Sequence, residues 1–123
     1  MPEKINWTLN VQVVGGPKVS AYDVIEVDAY DKIETVIPAS GSATVNVQPG
    51  AGAKFLLITA SGYENLTYEV DASGVNVTLD GAHVLIGSGA VRLLGSTQNQ
   101  FKFSNGGTED VTAYILVGRD ATP

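Results

Sequence analysis

The chain has 123 residues, no cysteine, and 13 acidic against 7 basic residues, for a net charge of -6. The length suits one domain with a single core. The absence of cysteine excludes disulfides, thiolate metal centres and cysteine nucleophiles, and the acidic balance, with no basic cluster to reverse it, argues against a nucleic-acid partner.

Segment 5–13 opens the chain's pattern. Ile5, Trp7, Leu9, Val11 and Val13 share one phase, and Asn6, Thr8, Asn10 and Gln12 the other. Period two predicts a strand with one buried face, which places Trp7 in the core. Gly15-Gly16-Pro17 ends it. Segment 18–30 follows, with Ile25, Val27 and Ala29 in phase. Its Ala21-Tyr22-Asp23-Val24-Ile25-Glu26 resembles Ala29-Tyr30-Asp31-Lys32-Ile33-Glu34. The match is too short for a solenoid repeat and reads as two similar strand segments related by a hairpin. Segment 33–37 is a strand stopped by Pro38, and Ala43, Val45 and Val47 alternate in the next. Gln48-Pro49-Gly50-Ala51-Gly52 reads as a loop.

Segment 54–60 contains Phe55-Leu56-Leu57-Ile58, apolar in both phases. Segment 66–70 alternates, Asp71-Ala72-Ser73-Gly74 is a turn, and Val75, Val77 and Leu79 alternate again. Asp80-Gly81 carries a hairpin signal. Segments 83–86 and 91–94 read as short strands around Gly87-Ser88-Gly89, and 101–103 as another. Gly95-Ser96-Thr97-Gln98-Asn99 is a polar loop and Asn105-Gly106-Gly107 a turn. Segment 111–117 is the last strand, apolar in both phases from Ala113. No segment has a sustained helical period with caps. About nine to eleven short strands at regular spacing predict an all-β, antiparallel two-sheet sandwich of jelly-roll type, with a small β-barrel as the alternative. The domain covers residues 1–123, with short tails at 1–4 and 119–123.

A strand in a simple sandwich has one inner and one wet face. Segments 55–58, 84–86 and 113–117 offer apolar side chains to both. Only 16% of residues are charged and 44% are hydrophobic, where ordinary soluble domains carry roughly 25% charge. Both observations point to copies covering one another. A closed barrel, or a long loop over the outer face, would also account for them. Phe55, Leu57, Leu85, Leu94, Tyr114 and Leu116 are the expected self-association residues. Half of each two-sided strand must belong to the core.

The chemistry-bearing motifs are sparse. His83 is the single histidine, and Gly87-Ser88-Gly89 beside it is not a nucleophile elbow, so His83 reads as a strand residue after a turn. Asp23, Glu26, Asp28, Asp31 and Glu34 lie on strands without a calcium-loop spacing and read as a solvated acidic face. The carboxylates single out no glycosidase pair. Gly50-Ala51-Gly52-Ala53-Lys54 lacks the residues and the helix of a phosphate loop. Asn6-Trp7-Thr8, Asn65-Leu66-Thr67 and Asn76-Val77-Thr78 match the glycosylation pattern by chance, within strands. Trp7 with Tyr22, Tyr30, Tyr63, Tyr68 and Tyr114 would suit a sugar platform if exposed. No stretch approaches the ~20 apolar residues of a membrane span, and no signal peptide is evident.

The short, acidic, cysteine-free chain, its many β segments, and the apolar Ala113-Tyr114-Ile115-Leu116-Val117 before Gly118-Arg119-Asp120-Ala121-Thr122 resemble small β-sandwich proteins of phage particles, of the capsid decoration or cement type. The resemblance implies a homotrimer bound to a larger shell, located in the virion, with the bacterial cytoplasm as the alternative location. The expected function is therefore structural and non-enzymatic, without cofactor or metal, with the chain itself and a capsid or other virion protein as partners. A carbohydrate-binding module or lectin is the second reading, and a small cupin-like enzyme the third, set back by its lone histidine.

Overall fold

The computed structural model describes residues 3–47, 52–95 and 98–120. The loop expected at 48–52, the middle of the one at 95–99, and the ends of both tails lie largely outside the described residues. The strands are β1 (Glu3–Gln12), β2 (Lys18–Val27), β3 (Ala29–Ile37), β4 (Gly41–Asn46), β5 (Gly52–Ala60), β6 (Leu66–Val70), β7 (Val77–Thr78), β8 (His83–Ile86), β9 (Gln100–Asn105) and β10 (Val111–Asp120). A short helix, α1 (Ser88–Val91), and a 3-10 turn at Arg92–Leu94 follow β8.

Strands β3 to β10 build an antiparallel sandwich of two four-stranded sheets, ordered β3-β10-β5-β8 and β4-β9-β6-β7. The pairs β3–β10, β4–β9, β5–β8 and β6–β7 are nested. The chain is thus one long hairpin, rolled so that successive turns alternate between sheets, which is jelly-roll winding. Its apex is the β6–β7 connection, where Asp71 and Ala72 both take a φ of 52°. Asp71 Oδ1 also accepts from the backbone N–H groups of Asn99 and Gln100 at 2.9 and 2.8 Å, tying the apex to the start of β9.

This winding corrects three local readings. Asp80-Gly81 does not close a hairpin, because β7 pairs with β6 while β8 pairs with β5. It carries the chain between sheets, with Leu79 fully buried beside it. The two similar segments fall in β2 and β3, which belong to different sheets and are not paired with each other. Segment 91–94 is helical: Val91 turns inward at the end of α1 and Leu94 packs against the core. Part of each expected tail belongs to a strand, since Glu3 and Lys4 lie in β1 and Arg119 and Asp120 in β10.

The two inner faces meet in one core. Leu56, Ile58, Ala113, Ile115 and Val117 of the first sheet pack with Leu66, Tyr68, Phe101 and Phe103 of the second. The Tyr68 ring lies 5.8 Å from Phe103 and 6.2 Å from Phe101 by centroid, within the range of favourable aromatic pairs. Its hydroxyl is hydrogen-bonded to His83 Nδ1 at 2.8 Å, so the chain's one histidine serves the core as the partner of a buried phenol.

Burial pushes the Tyr68 phenol up from 10.0 to about 12. The folded chain therefore holds this proton more tightly than the unfolded chain. The stabilisation is complete below about pH 10 and is lost as pH rises through about 12. Urea-unfolding midpoints are expected to fall across that window. Tyr68→Phe should flatten that fall, and should cost about 1 kcal/mol at neutral pH for the lost hydrogen bond. An unchanged alkaline slope in the variant would show that Tyr68 does not carry it.

Candidate functional site

The outer faces of the two sheets differ in chemistry. On the second sheet, Ser42, Thr44, Asn46, Lys102, Ser104, Thr67 and Glu69 point outward, opposite the buried residues of the same strands. That is the alternation of a wet face. All three two-sided segments of the sequence fall in the first sheet, on β5, β8 and β10. Their second faces align in register. Tyr30, Gly118, Phe55 and Ile86 form one cross-strand row. Lys32, Leu116, Leu57 and Val84 form the next, and Glu34, Tyr114 and Thr59 a third. Residues of the second and third rows line a shallow groove of about 260 Å³.

Strands β1 and β2 stand apart as a two-stranded ribbon. The turn at its tip is closed by the Gly16 N–H donating to Val13 O at 2.7 Å, with Gly15 at φ 74°, a conformation that favours glycine. Directly paired residues of antiparallel strands share a face, so Ile5, Trp7, Leu9 and Val11 lie on one side with Ile25, Asp23, Ala21 and Val19. The root of that side rests on the first sheet. A Cβ on Gly118 would come within 2.7 Å of Ile5 Cδ1 and 3.0 Å of Val27 Cγ1, so glycine at this position admits the arm. The pairing of β10 with β5 shifts register between Gly118 and Arg119, and the Arg119 guanidinium donates to Asp31 at 3.0 Å beside this root.

Beyond the root the arm is uncovered. Leu9 is 42% exposed, Val11 53%, Val13 59% and Val14 at the tip 100%. The strand expected to bury this face therefore does not deliver it to the core. Trp7 is only half-buried, on the arm rather than in the sandwich, and its Nε1 is buried without a hydrogen-bond partner among the described residues. An unpaired buried donor of this kind costs about 1–3 kcal/mol.

The six expected self-association residues divide between two environments. Leu57, Tyr114 and Leu116 come together in the outer groove. Phe55 is on the same face but buried, paired with Gly118 where the arm root rests. Leu85 and Leu94 pack against the sandwich core. Alternation alone did not separate these groups, and it gave no reason to add Leu9, Val11, Val13 and Val19, the most exposed aliphatic stretch.

The remaining candidates do not converge. Asp31 is engaged by Arg119, while Asp23 and Glu26 lie on opposite faces of the arm. Among the described residues, no three His, Asp or Glu side chains are placed to hold a metal ion. Tyr22 is on the arm, Tyr30 and Tyr114 are two rows apart on the sheet, and Tyr63 and Tyr68 turn inward. No helix among the described residues is long and apolar enough to cross a membrane. No protein-family model, curated protein or solved structure matches the chain.

Proposed function

We propose that the chain is a non-enzymatic structural protein that works as a homo-oligomer, with a trimer as the favoured closure, and that it serves as a capsid decoration or another component of a phage virion. One observation carries the reading. A projecting ribbon presents an apolar face to solvent, on a body whose first sheet does the same.

A lone two-stranded ribbon is marginally stable in water. Full burial of an aliphatic side chain is worth ~1.5–3 kcal/mol. Leu9, Val11, Val13 and Val19 are already partly covered, so roughly half of that remains, or about 3–6 kcal/mol for each seated arm. Association supplies what the isolated ribbon lacks. The jelly-roll winding is one that capsid proteins, lectins and cupins all use, so the virion context rests on analogy of fold and composition. The mechanism is passive: apolar surfaces join the copies, and the polar face of the second sheet remains for solvent or for an underlying lattice.

Size-exclusion chromatography with light scattering tests the reading. The expected mass is a small multiple, three being favoured, of the 12.8 kDa chain. A single-chain mass at micromolar concentration would overturn it.

A further inference from the structure

We propose that the groove on the outer face of the first sheet, floored by Leu57 and Leu116 and flanked by Tyr114, receives the arm of a second copy of this chain. The inference rests on the proposed assembly and names the surfaces that build it.

The chain already shows that the two surfaces fit. At its root, the arm's apolar face rests on Gly118 in the first row of this sheet face, with Ile5 and Val27 set over it. The next rows continue the apolar face through Leu116, Leu57 and Val84 and through Tyr114, with Val84 and Tyr114 exposed and Leu57 and Leu116 half-buried. The uncovered part of the arm likewise continues the face that made the first contact. The chain's own arm does not fold back over those rows, because Leu9, Val11 and Val13 stay exposed. About six residues per strand extend past the root, which at ~3.3 Å each gives a reach of roughly 20 Å. That reach serves a neighbour.

Both surfaces also carry a few charged groups. Within the arm's apolar face, Asp23 stands opposite Trp7, its Oδ1 accepting from the Val24 N–H at 2.7 Å. The groove carries Lys32 at the β3 end of its Leu116 row and Glu34 at the β3 end of its Tyr114 row. Arm into groove is a contact between unlike surfaces. Contacts of that kind close into rings when the rotation permits, so each copy gives one arm and receives one.

The absence of cysteine makes the test clean. Val11→Cys and Leu116→Cys are made in separate chains, one with a tag that changes its size, and the two are co-expressed and oxidised. A disulfide needs Cβ atoms within about 4.5 Å, so the mixed pair forms only if one chain's arm lies on the other chain's groove. The expected result is a mixed tagged–untagged dimer as the dominant cross-linked species on a non-reducing gel. Val13→Cys with Tyr114→Cys is the second pair, in case the first perturbs folding or misses the register. Val11→Cys with Thr44→Cys, on the polar sheet, should give no mixed dimer. Dominant Val11→Cys homodimers would overturn the inference in favour of arm–arm pairing. An oligomer by light scattering with no mixed dimer from either pair would overturn it while leaving the proposed function standing. Single chains by light scattering would overturn both.

Discussion

Aspartate at both Leu9 and Val11 is expected to dissolve the assembly into single chains while leaving the sandwich folded. Both side chains lie on the arm's apolar face, beyond its root, and both are about half exposed in the single chain. Substitutions at such positions change the stability of the folded unit by about 0.5 kcal/mol or less. In the proposed assembly the same positions would be covered. There the change removes aliphatic burial and sets a carboxylate in an apolar contact without a partner, a class of defect that costs roughly 3–5 kcal/mol. At 1.4 kcal/mol per tenfold, a loss of ~4 kcal/mol weakens association about a thousandfold. Sedimentation velocity reads the mass and thermal unfolding reads the sandwich. A variant that keeps the wild-type mass would place the interface elsewhere. A variant that unfolds would make the arm part of the core.

Phe103→Ala should strike the sandwich itself. Phe103 is fully buried on β9, between Ala43 of β4 and Tyr68 of β6 in register, and its ring sits against Tyr68. Truncating a buried phenylalanine costs about 3–5 kcal/mol, through lost transfer energy and the cavity left behind. Domains of this kind have about 5–15 kcal/mol in all, so the variant gives up a large share. With a urea dependence of ~1–3 kcal/mol per molar, the midpoint should fall by about 2 M. Lys102→Ala, next in sequence but on the wet face, should move the midpoint hardly at all. A small change at Phe103, or equal changes at the two positions, would contradict the inward and outward assignment of β9.

The contrast between these two residues shows how much of the molecule the sequence reveals. Period-two alternation identified most strands, and the segments around Phe55, Val84 and Ala113 were recognisable as two-sided. The structure places them side by side in one sheet, so their second faces add up to a surface. Alternation reports that a face is apolar, but not what covers it. In β4 and β6 the cover is the opposite sheet; in β1, beyond its root, the described residues leave Leu9 and Val11 about half exposed. The same limit explains Leu85 and Leu94, which have the composition of interface residues and the position of core residues.

Winding was hidden for a different reason. The nested pairs of a rolled hairpin join residues as distant as Ala29 and Arg119, and no local signal specifies such partners. Turn chemistry misled at Asp80-Gly81, where neither residue takes a positive φ and the chain crosses between sheets instead of closing a tight hairpin. Segment 91–94 was ambiguous because a short apolar run fits a buried strand and a helical turn alike. Of the candidate surface, Leu57, Tyr114 and Leu116 were legible. The arm was not, because it is written in the pattern of a core strand.

Amide hydrogen exchange of the arm, followed against protein concentration, tests the central claim most directly. The inter-strand hydrogen bonds of β1 and β2 beyond the root belong to a ribbon that opens readily when alone. Their protection should be weak in dilute solution and should rise with concentration, together with protection along the β5 and β10 stretches that floor the groove. Protection independent of concentration, whether high or low, would mean that the arm completes itself or has no partner in its own kind, and the account would fail.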